Sequence, residues 1–71
     1  MDVTVKIKFG SNKQAIEAFG NNRYLVYVSS KNGEESVWGE LLGLLSRKLG
    51  TPESRIELRR DMGETKVFFV N

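Results

Sequence analysis

Residues Ser36–Gly50, S-V-W-G-E-L-L-G-L-L-S-R-K-L-G, decide how the chain folds. Val37, Trp38, Leu41, Leu42, Leu44, Leu45 and Leu49 recur at spacings of three and four, so they share one broad face of an amphipathic helix. Ser36 has the chemistry of an N-cap, with a hydroxyl able to accept a first-turn backbone N–H. Glu34, Glu35 and Glu40 lie towards the start and Arg47 and Lys48 towards the end, a polarity that complements the helix dipole. Gly50 suits the left-handed residue that closes a helix, and Pro52 prevents its continuation. A helix with one apolar face must lie on another layer, and the flanking segments supply it.

On the N-terminal side, Val3, Val5, Ile7 and Phe9 alternate with Thr4, Lys6 and Lys8. That period of two predicts a half-buried strand with a basic outer face. Residues 13–19, K-Q-A-I-E-A-F, fit a helical turn or a short extended piece. The extended reading is preferred because Gly20-Asn21-Asn22 is a turn sequence and a new segment starts directly after it. Arg23–Ser30 is rich in β-branched and aromatic residues, apolar on both faces, and reads as a central strand. Asn32-Gly33 marks a turn before the helix. Beyond it, Thr51–Ser54 predicts a short helical turn with Thr51 as cap and Pro52 at its first position. Arg55–Arg60 and Thr65–Asn71 alternate as strands joined by a hairpin at Asp61–Glu64. The expected architecture is α+β in two layers. One main helix packs on a four-stranded mixed sheet in β-β-α-β-β order, with the short extended piece and helical turn as additions.

Composition excludes more than it names. The chain has 71 residues, which makes one small domain in which each core side chain matters. There is no cysteine and no histidine. Zinc sites of the usual kinds, His-based triads and Cys–His pairs therefore have no ligands or nucleophiles here. The expectation is a non-enzymatic, cofactor-free, metal-free monomer of the cytoplasm, with no membrane-spanning segment. A net charge of +2 is too mild to argue for nucleic acid by itself.

Taken in order, these segments resemble the YggU-like family, small α/β proteins of unknown function. The resemblance runs over residues 1–71 as a single domain. It is carried by Lys6–Lys13 followed by Ile16, by Arg23–Val28, by Gly33-Glu34-Glu35-Ser36 followed by Leu41 and Leu42, by Leu49–Leu58, and by Lys66 opening the last strand. The chain departs from the family pattern at Phe9, where Pro is usual. It departs again at Glu34-Glu35-Ser36, where Lys-Ala-Asn is usual, and at Asp61 in place of a Gly. A second, more superficial resemblance is to the β-grasp, ubiquitin-like sulfur carriers, over Ser36–Leu42 and Val67–Asn71. The sequence ends at Asn71 without the Gly-Gly those carriers need, so that reading becomes a degenerate β-grasp domain.

Three sets of residues invite a functional reading. The basic strand face, with Thr4, Lys6, Lys8, Arg59 and Lys66, can meet phosphates of RNA or a nucleoprotein, and Tyr24 and Tyr27 can stack bases. The plainer reading is a solvated face whose lysines discourage edge pairing, and tyrosines that merely pack. Gly39, Gly43 and Ser46 form a stripe of small residues beside the apolar face, suited to close approach of a protein partner or of the chain's own loop. Glu34, Glu35 and Glu40 form either an acidic cluster or, more simply, a complement to the helix dipole. Trp38 reads as core before it reads as a binding anchor.

Overall fold

The layer that meets the helix is a sheet of five strands. The computed structural model describes Met1–Asn71, in the order β1 (Asp2–Lys8), β2 (Ala15–Gly20), β3 (Arg23–Tyr27), α1 (Ser36–Leu49), a single 3-10 turn (Glu53–Arg55), β4 (Ile56–Met62) and β5 (Thr65–Val70). The expectation of one helix on a mixed sheet holds, but the strand count does not. The extended piece at 13–19 is a full edge strand, because Ala15–Gly20 ladders along β3 in antiparallel register. The spatial order is β2-β3-β1-β5-β4, with β1 parallel to β3 and every other pair antiparallel.

β1 occupies the centre because its odd positions are the most uniformly apolar in the chain. Val3, Val5 and Ile7 are fully buried, and the even positions face the other way. Register carries that face outward. Val5 stands beside Tyr24 and Lys66, and Ile7 beside Val26. Leu41, Leu44 and Leu45 of α1 close over Val3, Val5, Ile7, Val26, Val28, Ile56, Phe68 and Val70 in one core, with Trp38, Leu42 and Leu49 packed at its margin. The periodicity of the Ser36–Gly50 segment thus has its physical counterpart in a single buried stripe. Gly50 closes the helix at φ 65° with its N–H on the Ser46 carbonyl.

The start of the helix departs from expectation. Glu35 takes the cap position in helical geometry, no side chain caps the first turn, and Ser36 is already inside the helix. The Ser36 hydroxyl lies instead 2.5 Å from the Ser30 hydroxyl. Glu40 likewise serves the preceding loop rather than the dipole. Its carboxylate accepts from Ser29 N (2.8 Å), Ser29 Oγ (2.9 Å), Ser30 N (3.0 Å), Ser30 Oγ and Gln14 Nε2 (2.7 Å). Since the Ser30 proton goes to Glu40, Ser36 donates to Ser30, and the three side chains form one directed chain of hydrogen bonds. These bonds hold the Glu40 carboxyl well down, at about 2 against the usual 4.5. They clamp the end of β3 and the β1–β2 loop to the helix.

The last hairpin is tighter than the sequence suggests. Asp61 and Met62 belong to β4, paired with Lys66 and Thr65, and only Gly63-Glu64 turn the chain. Gly63 sits at φ 78°, a conformation that costs glycine little. A bulge between Leu58 and Arg60 breaks the alternation of β4, which leaves Leu58 43% exposed although it pairs with the buried Phe68.

Candidate nucleic-acid interface

One helix covers one face of the sheet, so the other face is open. Cross-strand partners share a face, and the register therefore maps the open side. Along one row run Asp2, Phe69 and Glu57. The next holds Gly20, Arg23, Thr4, Val67 and Arg60. A third holds Glu17, Leu25, Lys6, Thr65 and Met62, and a fourth Ala15, Tyr27 and Lys8. Leu25, Tyr27, Val67 and Phe69 are half-buried there, forming a band of apolar surface with bases between and around it.

Two of those bases lie directly over rings. The Arg59 guanidinium is 4.4 Å from the centroid of Phe69, and Lys13 Nζ is 4.5 Å from that of Tyr27. Arg59 shares the parity of Glu57, and the β4 bulge after Leu58 brings Arg60 onto the same face opposite Val67. Lys6 and Lys8 are exposed on the central strand. The positive groups of this face are Lys6, Lys8, Lys13, Arg23, Arg59 and Arg60, against Asp2, Glu17 and Glu57. The whole chain carries only +2, so the excess is concentrated by the fold and not by composition.

Lys66 does not belong with them. Alternation in T-K-V-F-F-V puts Lys66 on the parity of Phe68 and Val70, and the structure places it on the covered face with 5% exposure. Its ammonium donates to Asp61 Oδ1 at 2.5 Å and to the Gly63 carbonyl at 3.0 Å, and lies 5.1 Å from the Trp38 ring centroid. That is the only ion pair in the chain. The Lys66 ammonium, with the Gly63 N–H, holds the Asp61 carboxyl below its usual range. Lys66 is thus withdrawn from any phosphate, and Tyr24 too faces the helix.

The helix stripe divides. A methyl group added at Gly39 or Gly43 would meet nothing of this chain within 4 Å, so neither glycine makes room for an internal neighbour. Ser46 spends its hydroxyl on the Thr51 carbonyl at 2.7 Å, stitching the helix end to the following turn. Of the acidic trio, Glu34 accepts from Lys31 N at 2.5 Å while Glu40 is committed to Ser29 and Ser30. No three acidic side chains converge on one point.

Two recesses mark the surface. One, of about 190 Å³, lies at the helix start between Phe9, Gly33, Glu35, Trp38, Asp61 and Lys66. Its one base is already paired and its rim is acidic. The other, of about 300 Å³, is on the open face between β1 and β2, lined by Lys6, Lys8, Glu17, Ala18, Phe19 and Leu25. Phe19 stands at the β2 bulge with 54% of its surface exposed. Sequence reading overlooked Arg23, Arg60, Phe19 and Phe69 as part of this face. The signal for Arg23 was its parity with Leu25 and Tyr27 in the alternation of β3. For Phe19 and Arg60 the bulges remove any such signal.

The fold and this face define an open-faced two-layer α+β domain. Comparison with known protein families, with characterised proteins and with solved structures gives no match. No helix is long and apolar enough to cross a membrane.

Proposed function

We propose that this chain is a YggU-like, non-enzymatic module of the cytoplasm that contacts single-stranded RNA through its open sheet face. The observation that carries the reading is the segregation just described: bases and half-exposed rings share the uncovered face of the sheet. Phosphates seek the bases, and unpaired bases can stack on the rings or the guanidinium planes. A duplex hides its base faces, so a flat ring-bearing surface favours unpaired strands. The experiment is a titration of the full chain with an RNA oligonucleotide at several salt concentrations. Affinity falls with salt at a log–log slope of about −0.7 per phosphate neutralised. Lys6→Glu with Lys8→Glu abolishes binding and leaves the melting temperature in place, since both side chains are exposed. Salt-independent binding, or none, sinks the proposal.

A second reading has one observation in its favour. Glycine in a helix interior costs about 1 kcal/mol relative to alanine. Gly39 and Gly43 have no internal neighbour to account for that cost. Docking of a protein partner over Gly39 and Gly43 would account for it. In that case Gly43→Leu blocks the partner and salt matters little.

A further inference from the structure

The recess between β1 and β2 brings together three things that coincide nowhere else on the open face. It is concave, with about 300 Å³ of space over Leu25 and Ala18. It has an aromatic wall, Phe19, whose ring is more than half exposed although it is one of the largest apolar side chains in the chain. It also holds a carboxylate, Glu17, in the same row as Leu25 and Lys6. Glu17 forms no ion pair, although Lys6 and Lys8 line the same recess. An acid among phosphate-seeking lysines weakens purely electrostatic binding, so its presence there calls for a ligand group that donates hydrogen bonds. We propose that this recess is a nucleobase subsite selective for bases bearing an exocyclic amino group, with Glu17 as the acceptor and Phe19 as the stacking wall. This rests on the sheet-face reading above and names what that face prefers.

The chemistry is one of donor and acceptor pattern. The edge of cytosine offers its N4 amino group, that of adenine its N6 amino group, and that of guanine its N1–H and N2 amino group. A carboxylate has only acceptors and takes up any of these. Uracil offers a single N3–H between two carbonyl oxygens, which face a carboxylate unfavourably. With the base edge at Glu17 and its face against Phe19 and Leu25, the flanking phosphates fall towards Lys6 and Lys8, which bind without reading sequence.

The test uses the full chain with labelled hexacytidylate and hexauridylate, read by fluorescence anisotropy. The parent binds the cytidine oligomer more tightly, on the order of tenfold. Glu17→Gln, whose amide both donates and accepts, removes that preference and leaves the salt slope unchanged, because no phosphate contact is lost. Phe19→Ala weakens both oligomers alike. Equal, salt-dependent binding of the two oligomers by the parent overturns the subsite and leaves the sheet-face reading standing. A preference that survives Glu17→Gln shows that the selective acceptor lies elsewhere and overturns the assignment. Absence of binding to either oligomer overturns both the subsite and the reading beneath it.

Discussion

The two faces of the sheet carry similar side chains to opposite ends. On the covered face Val3, Val5 and Val26 reach zero exposure, and the single lysine among them, Lys66, is held by an anion, a carbonyl and a ring. On the open face the lysines of β1 have no such partners, and Leu25, Val67 and Phe69 stay half-exposed among them. A lysine on the covered face is a structural element whose charge has been neutralised in place. A lysine on the open face keeps its charge for whatever arrives. Position in the two-residue period, not residue type, separates the two roles.

The largest test of this contrast is a truncation on the covered side. Leu41→Ala or Leu45→Ala removes a fully buried side chain from the middle of the core. Each is expected to cost about 2–5 kcal/mol. A domain of this size has stability of about 5 kcal/mol to lose, so the variant melts far below the parent and, at the upper end of that cost, is about half unfolded at room temperature by circular dichroism. Leu25→Ala, on the open face, should melt much nearer the parent. Equal losses at the two positions would erase the distinction between the faces.

The next test concerns the one lysine on the wrong side of that line. Asp61→Ala leaves the Lys66 ammonium buried without its counter-ion, and the melting temperature falls. Lys66→Met keeps the long stem against Trp38 and removes the charge, and stability is retained or improved. A Lys66→Met variant that unfolds while Asp61→Ala does not would reverse the account of which partner depends on the other.

A smaller effect follows from the clamp that joins the faces at the helix start. The folded pKa of Glu40, about 2, lies below its usual 4.5. The unfolded chain therefore binds this proton more readily than the folded one. The stabilisation is complete above about pH 4.5 and is lost as pH falls towards 2. Asp61, also lowered, adds to the loss with the same sign. Thermal melts at steps between pH 6 and pH 2 should show the decline in the parent, and Glu40→Gln should flatten part of it. An unchanged profile in Glu40→Gln would mean that the contacts to Ser29 and Ser30 contribute nothing to folding.

How far all this was legible in the sequence depends on the range of the interaction concerned. The helix and its buried stripe were plain, because Val37, Leu41, Leu44 and Leu45 are related by local spacing alone. The alternation of β1 was equally plain. Residues 13–19 were ambiguous because a period of two and a period near four both fit A-I-E-A-F, and only pairing with β3 decides between them. Lys66 was legible and misread: its parity with Phe68 was visible, but its charge drew it to the basic face. The parallel pairing of β1 with β3, the β4 bulge that brings Arg60 opposite Val67, and the Glu40 clamp depend on segments brought together by the whole fold. No local pattern announces them.

The smallest expected effect tests a surface that belongs to neither face of the sheet. Gly43 lies in the middle of α1, and a methyl group there meets no atom of the chain within 4 Å. Alanine loses less backbone entropy than glycine on entering a helix, so Gly43→Ala should stabilise the isolated domain by about 1 kcal/mol. For a domain of this length that is a rise in melting temperature of about 4–8 °C. A rise independent of protein concentration means that the outer surface of the helix is free in the isolated chain. It also means that the glycine is retained at a cost to stability, which favours a partner that approaches the helix closely. No rise, or a fall that shrinks with dilution, means that a second copy already occupies that space. The contrast between one covered and one open side of the domain would then have to be redrawn around a dimer.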